Sequence, residues 1–285
     1  MIDVASEAAS ILKGGGRLAW HLIHRKLSVF IFLSIILAAA PALAIVNVMD
    51  KGDQKSEKGF TGEFNGSLSL RSGNKEWLNI DIGMNLTYRL YNHTFILKGS
   101  LEHQAQTINA LEPQISQSFE HFRYRYEFMD DIFVETFVQH QFDQVKRIKL
   151  RFLHGVGFRY IHNFEKVNIT MGTTWMLEYE KEEEEFWDCA EGEACSQWVH
   201  RWSSYLTVDW EVMENVYVGT TNFIQPLFAN LQDWRLLNDN YIEIRANEWL
   251  AMRSSYTMEY DSYPAPRVEH QLDTRIRGSL VLRFD

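Results

Sequence analysis

Cys189 and Cys195 are the only cysteines in a chain of 285 residues, and they close a segment, Glu180 to Cys195 (EKEEEEFWDCAEGEAC), that holds seven Glu, one Asp and one Lys. If the chain is exported, an oxidising compartment favours a disulfide between Cys189 and Cys195 that closes a small loop. Zinc is the sharper alternative, but this wide single pair lacks two further ligands at metal spacing. The carboxylates of Glu182, Glu183, Glu184, Glu185, Asp188, Glu191 and Glu193 suit Ca²⁺ or Mg²⁺, which prefer oxygen ligands. The same run serves equally as a solvated acidic face, and no resident metal or cofactor is expected.

A second set of chemically capable residues is a mixture of Arg and Glu spread over the rest of the chain. Arg89, Arg123, Arg125, Arg253, Arg275 and Arg277 are read as inward charges, and Arg123, Arg125, Arg253, Arg275 and Arg277 would form a track attractive to acidic solutes. Paired instead with Glu127, Glu135, Glu243 and Glu259, they would neutralise one another and fill the same space. The two arrangements are compatible. A lipid-modifying enzyme needs a Ser activated by His and oriented by a third group. No His-x-Ser-Asn-Gly run occurs, and His103, His121, His140 and His154 stand on different segments without a nucleophile at a telling spacing. A proteolytic Asp/Glu/His site at a rim is left open. Gly155-Val156-Gly157 precedes no helical pattern, so it does not read as a phosphate loop.

The elements that carry these residues follow from period two. From Trp77 to Tyr91, Leu78, Ile80, Ile82, Met84, Leu86, Tyr88 and Leu90 alternate with Asn79, Asp81, Gly83, Asn85, Thr87 and Arg89. A strand turns successive side chains to opposite sides, so one face is apolar and the other wet. The split returns from Val167 to Glu180 and from Leu250 to Asp261. In all, the pattern predicts twelve strands, near 60–71, 76–91, 94–107, 115–128, 132–144, 149–162, 166–180, 197–212, 216–227, 235–246, 249–262 and 268–284. At 12 to 16 residues most are long for a soluble sandwich, whose strands run about 5 to 6. They suit tilted strands crossing a bilayer. Tight connections such as Tyr91-Asn92-His93 and Met213-Glu214-Asn215 alternate with longer ones, and an even count returns both ends to one side.

The expected fold is therefore all-β, a twelve-stranded antiparallel transmembrane barrel over residues 59–285. In hydrocarbon an unpaired backbone group costs several kcal/mol, so only a closed sheet persists there. A soluble ligand-binding barrel would keep its apolar face inward, and the other face here carries too many ionised groups to line a dry core. Aromatic residues beside the tight turns read as a membrane-interface girdle: Tyr88, Tyr91, Phe95, Tyr124, Tyr126, Phe128, Phe133, Phe158, Tyr160, Phe164, Trp210, Tyr217 and Trp249.

Arg25 and Lys26 precede the apolar run Leu27 to Ala40, then Pro41 and Ala42-Leu43-Ala44. This predicts a secretory signal over residues 1–44 cleaved after Ala44, against a retained membrane helix extending to Val48. Residues 45–58 form a polar lead-in. Without residues 1–44 there are 24 basic and 36 acidic side chains, a formal charge of −12, which argues against nucleic acid as a partner. The expected partners are outer-membrane lipid and lipopolysaccharide and the outer-membrane assembly machinery. Oligomeric state is not legible.

The chain ends in TRIRGSLVLRFD, a terminal alternating strand with Phe284 near its end, as the assembly machinery of outer-membrane barrels recognises; Asp285 follows the aromatic. The opening strand Gly62-Glu63-Phe64-Asn65-Gly66-Ser67-Leu68-Ser69-Leu70-Arg71, closing on Ser72-Gly73-Asn74, resembles that of domain-of-unknown-function family 481, the salt-induced outer membrane proteins. So does the closing hairpin from Ser255-Tyr256-Thr257-Met258-Glu259-Tyr260 to Asp273-Thr274-Arg275, and the likeness spans residues 59 to 284. The resemblance implies an outer-membrane barrel and no particular substrate. The acidic two-cysteine loop lies outside the family pattern. The function expected is a passive, porin-like conduit for small solutes or a structural membrane component, rather than an enzyme. The alternatives are a surface-binding or adhesion barrel using loop 180–195, and a lipid-modifying or proteolytic barrel.

Overall fold

A computed structural model describes residues 58–71, 77–106, 115–144, 146, 148–182, 196–264 and 270–284. Twelve strands follow in order: β1 Gly59–Arg71, β2 Trp77–Leu90, β3 His93–Gln106, β4 Ile115–Met129, β5 Ile132–Asp143, β6 Ile148–Asn163, β7 Val167–Glu182, β8 Ser196–Met213, β9 Val216–Pro226, β10 Trp234–Arg245, β11 Leu250–Asp261 and β12 Leu272–Phe284. Each pairs antiparallel with its sequence neighbour, and β1 pairs with β12 to close a barrel. Among the described residues no helix is long and apolar enough to cross a membrane. The strands pair their backbone groups between neighbours, the β1–β12 ladder running from Gly62 to Gly66.

Two-residue turns occur at one end, Tyr91-Asn92, Asp130-Asp131 and Glu214-Asn215. Their geometry requires left-handed backbone: φ is 53° at Tyr91, 64° at Asp131 and 64° at Asn215. Asp and Asn adopt this region readily, whereas Tyr91 is a bulky exception held by the turn. Beside the Asp131 and Asn215 turns the register shifts, between Glu127 and Met129 and between Glu211 and Met213. Such bulges increase the local twist that a closing sheet needs. Both β1 and β12 begin or end at this turn side, as the even strand count predicts.

The outer surface is apolar over most of its height, with Leu68, Ile82, Leu101, Phe152, Met171, Ile224, Ile242 and Leu280 exposed. Tyr88, Tyr91, Phe95, Tyr126, Phe128, Phe158, Tyr160, Phe164, Trp210 and Trp249 ring the turn side on that surface. Two members of the predicted girdle do not belong to it. Phe133 is buried in the lumen, because it shares the face of Glu135 and Phe137. Tyr217 shares the face of Gly219 and Thr221 and lies under the Arg245 guanidinium, 3.9 Å from ring centre to carbon. A second aromatic ring occupies the loop side, where Tyr179 packs on Trp198 at 4.8 Å and Trp234 on Tyr260 at 4.4 Å.

One polar island interrupts the outer belt at mid-height on β9 and β10. Asn238 donates to Asn222 Oδ1 at 2.7 Å, and Asn240 donates to Asn238 Oδ1 at 2.6 Å. Asn222 and Asn238 both reach Thr220 Oγ1 at 3.4 Å. Mutual hydrogen bonding offsets much of the cost of placing amides against hydrocarbon.

Candidate functional site

The inner faces of the twelve strands bring together nearly all of the Arg and Glu residues that alternation assigns there, and the structure divides them into two halves. Around β5 to β10 the lumen is packed. Glu178 is buried among three guanidinium groups: Arg235 Nη1 at 2.6 Å, Arg201 Nε at 2.9 Å and Arg151 Nε at 3.2 Å. Arg151 also holds Glu180, Arg201 holds Asp233 at 2.9 Å, and Arg235 holds Asp261 at 2.9 Å. Nearer the turn side Glu135 receives Arg123 Nη1 at 3.1 Å, Arg125 Nε at 3.3 Å and the Tyr205 hydroxyl at 3.1 Å. Charges so buried persist only because each carboxylate meets several donors in good geometry.

Between these clusters the lumen is apolar. Phe119, Tyr205, Phe223 and Leu237 pack together, and Phe137, Leu153 and Met176 form a second group. Gly172 makes room for the first: a Cβ there would sit 2.2 Å from the Tyr205 ring, so only glycine lets the ring lie flat and carry its hydroxyl to Glu135. What space is left amounts to about 30 Å³, lined by Arg123, Phe137, Gln139 and Arg151 among others, room for about one water.

The other half is open. A cavity of about 250 Å³ runs along the inner faces of β1 to β3, β11 and β12, from Glu63 and Arg253 toward Gln117, Lys146 and Arg275 on the loop side. Its walls carry Glu63, Asp81, Glu102, Asp143, Asp239 and Glu259 against Lys98, Lys146, Arg253, Arg275 and Arg277, six acids to five bases. Arg277 bonds Asp81 at 2.5 Å and Glu102 at 3.2 Å, and Arg275 bonds Glu102 at 2.8 Å. Arg275 keeps 45% of its side chain exposed. Lys146 joins Glu259 to Asp143.

A compact ionic floor ends this cavity. Glu243 accepts from Arg253 and Arg283, both at 2.6 Å, and from Arg245 at 3.0 Å. Arg245 in turn lines a pocket of about 230 Å³ at the turn-side mouth, with Lys166, Asp209, Trp210, Glu211 and Tyr217. Glu243 thus bridges the floor of the cavity to the roof of the mouth. Arg89 and Glu127 pair at 2.8 Å, also toward the turn side.

The predicted lumen residues Arg89, Arg123, Arg125, Glu127, Glu135, Arg253, Glu259, Arg275 and Arg277 all face inward, but they do not form one track. Arg123 and Arg125 belong to the packed half, while Arg253, Glu259, Arg275 and Arg277 line the open half. Sequence reasoning did not single out Glu63, Lys146, Arg151, Arg201 or Arg235. Parity within the strand carried the signal for most of them: Arg151 shares a face with Arg159, Arg201 with Asp209, and Arg235 with Glu243. It also passed over the inward Phe119, Phe137, Leu153, Phe223 and Leu237. The cysteine pair Cys189–Cys195 and the acidic loop from Glu183 to Glu193 lie outside the described residues, as do the signal-like segment 1–44 and the side chain of Glu182.

A family model described as "Protein of unknown function, DUF481" matches residues 65–284. No curated protein matches the chain. Among solved structures the NanC porin is similar, at 11% identity and a TM-score of 0.44 over 78% of this chain and 97% of the porin. The COG4313 outer membrane channel from Pseudomonas putida F1 shares 11% identity over 83% of this chain and 100% of the channel, with a TM-score of 0.47. The translocator domain of autotransporter NalP from Neisseria meningitidis shares 9% identity over 81% of this chain and 89% of that domain, with a TM-score of 0.47. At such identities the likeness is one of fold alone.

Proposed function

The chain belongs to the DUF481 family, and from that premise we propose that it is a passive, weakly selective conduit for small solutes in the outer membrane of a Gram-negative bacterium. One observation carries the reading: the open half of the lumen, a cavity of about 250 Å³ separated from the turn-side pocket of about 230 Å³ by the Glu243 cluster with Arg253, Arg283 and Arg245, which must part for a solute to cross. Its size suits small hydrated solutes. Its mixed walls supply acceptors and donors to replace lost hydration without binding one sign of charge tightly, as conduction requires. The packed half is scaffold, whose buried ion pairs and aromatic residues fix the barrel's cross-section.

Single-channel recording in planar bilayers tests this. Wild-type protein should pass small ions, and Ser255→Trp, which places an indole in the cavity, should reduce conductance severalfold while the barrel stays folded by heat-modifiable gel mobility. Absence of current from inserted wild-type protein would overturn the reading. Export by a signal cleaved after Ala44 belongs to the same proposal. Amino-terminal sequencing of protein from outer-membrane fractions should begin at Ile45.

A further inference from the structure

The barrel's closing seam is only half made. The β1–β12 ladder runs from Gly62 opposite Phe284 to Gly66 opposite Leu280, five pairs, and there it stops. Both strands continue: β1 to Arg71, paired throughout with β2, and β12 back to Leu272, paired with β11 as far as that residue. The same register would set Ser67 through Arg71 opposite Ser279 through Arg275, but among the described residues no such ladder forms. The outward side chains flanking the gap are unusually bare, Leu68 at 65% and Ile276 at 79% exposed, and a Cβ placed on Gly278 would meet nothing within 4 Å. Unsatisfied strand edges facing hydrocarbon are costly, so a gap on the loop-side half of a membrane barrel calls for an occupant or a use.

The lumen side of the gap is not neutral either. The open cavity reaches the gap from the β12 side, where Ser279, Arg275 and Arg277 line it, and meets β1 at Asn65, beside the end of the ladder. The turn-side half of the seam is fastened by the ladder, by Glu63 held between Arg253 and Arg283, and by Phe284 stacked on Phe64 at 5.6 Å. Among the described residues the loop-side half has side-chain straps that reach past β1: Arg277 to Asp81 on β2, Arg275 and Arg277 to Glu102 on β3, and Arg275 to Gln117 on β4. A guanidinium released from a carboxylate binds a phosphate or carboxylate head group with the same forked geometry.

Resting on the membrane-barrel reading above, we propose that the loop-side half of the β1–β12 seam is a lateral portal. Through it an amphiphile with an anionic head group reaches the cavity, exchanging Asp81 and Glu102 for its own head group on Arg275 and Arg277. Its acyl chain stays outside, against Leu68 and Ile276. An anion of the solute phase would use the same arginines without the gap, so the test must separate the two sources.

Fluorescent lysophosphatidic acid, an uncharged monoacylglycerol of the same chain length, and inorganic phosphate are titrated onto full-length barrel in maltoside micelles, in a Cys189→Ser, Cys195→Ser background. Lysophosphatidic acid should bind about tenfold more tightly than the monoacylglycerol, and Arg275→Ala with Arg277→Ala should erase that preference. Leu68→Cys with Gly278→Cys, oxidised to a disulfide, should abolish amphiphile binding, leave ion conductance in place, and recover on reduction. Unchanged binding by the locked barrel would overturn the portal, as would full competition by inorganic phosphate with no preference for the acylated probe. Hydrogen exchange in nanodiscs decides independently of whether the disulfide forms. Alternate amides of Ser67–Arg71 should exchange roughly 100-fold faster than those of Gly62–Gly66, and equal protection would sink the proposal. Amphiphile binding without conductance would refute the conduit alone; conductance without amphiphile binding would refute the portal alone.

Discussion

Arg253 on β11 grips Glu63 on β1 with both prongs of its guanidinium, Nη1 at 2.6 Å from one carboxylate oxygen and Nη2 at 3.0 Å from the other, across the intervening strand β12. β1 and β11 are thereby joined through the lumen, as β1 and β12 are through the ladder. Arg283 adds a third contact to Glu63 at 3.2 Å. Replacing Glu63 by Ala leaves the buried Arg253 and the half-buried Arg283 guanidinium groups sharing Glu243 with Arg245. The expected loss is about 2–4 kcal/mol, since stranding one member of a buried pair costs more than the pair contributes. Urea unfolding in detergent micelles measures it. A Glu63→Leu, Arg253→Leu double variant should recover part of the loss.

Glu178 should be the most sensitive carboxylate in the molecule. Three guanidinium groups converge on it, and their other partners Glu180, Asp233 and Asp261 are each already engaged, by Arg151, Arg201 and Arg235. Glu178→Gln keeps the volume and removes the charge, so a loss of more than about 3 kcal/mol would be electrostatic and hydrogen-bonding in origin. Because Glu178 lies in the packed half, the folded fraction of this variant should show wild-type single-channel conductance.

Selectivity should follow the balance of the cavity walls. With six acids and five bases the wild-type pore should discriminate little between K⁺ and Cl⁻. Arg275 is the most exposed of these cations, so Arg275→Ala changes charge with little structural cost. Reversal potentials in a KCl gradient should move toward the cation, corresponding to about a two- to threefold rise in permeability ratio. A shift toward the anion would contradict the assignment of Arg275 to the conducting half.

Most of this architecture is legible from alternation. Period two yields all twelve strands, eleven of them within about two residues at each end; β12 begins at Leu272 rather than near 268. Alternation states which side chains share a face; Arg151, Arg201 and Arg235 were passed over although each shares its strand's parity with Arg159, Asp209 and Glu243, which are inward. It does not state what stands opposite. The Arg253–Glu63 contact joins residues 190 apart in sequence, and which Glu meets which Arg depends on barrel circumference and tilt. Nor does alternation separate a wet lumen from a filled one. Phe137 and Leu153 are apolar on both readings, and only the facing strands show that they plug the interior. The half-made seam is invisible for the same reason, because β1 and β12 each read as complete strands.

The polar island on the outer belt should respond asymmetrically to substitution. Asn238→Leu removes the partner of both Asn222 and Asn240, leaving two amides facing hydrocarbon with fewer bonds, and should cost about 1–2 kcal/mol. Replacing Asn222, Asn238 and Asn240 together by Leu removes donors and acceptors alike. The triple variant should be at least as stable as wild type in urea titrations, although each amide is hydrogen-bonded in the native protein.

Gly62 and Phe284 should be strongly coupled. A Cβ on Gly62 would lie 2.1 Å from the tip of the Phe284 ring, and that ring has Phe64 on one side at 5.6 Å and Phe60 on the other at 6.0 Å. Flanked on both sides, the ring can yield only outward, where the residue is 37% exposed, so Gly62→Ala should cost about 1 kcal/mol, the low end for overpacking. Phe284→Ala forfeits the two aromatic contacts, worth about 0.5–1.5 kcal/mol each beyond buried area. In the double variant the methyl group occupies space the ring has vacated, and the glycine substitution should then cost nothing or stabilise the strand. A double-mutant cycle should therefore show coupling of at least about 1 kcal/mol. Additive losses would mean that the ring swings aside freely, and that the turn-side half of the seam is held by its five backbone pairs and by Glu63 without help from the terminal aromatic residue.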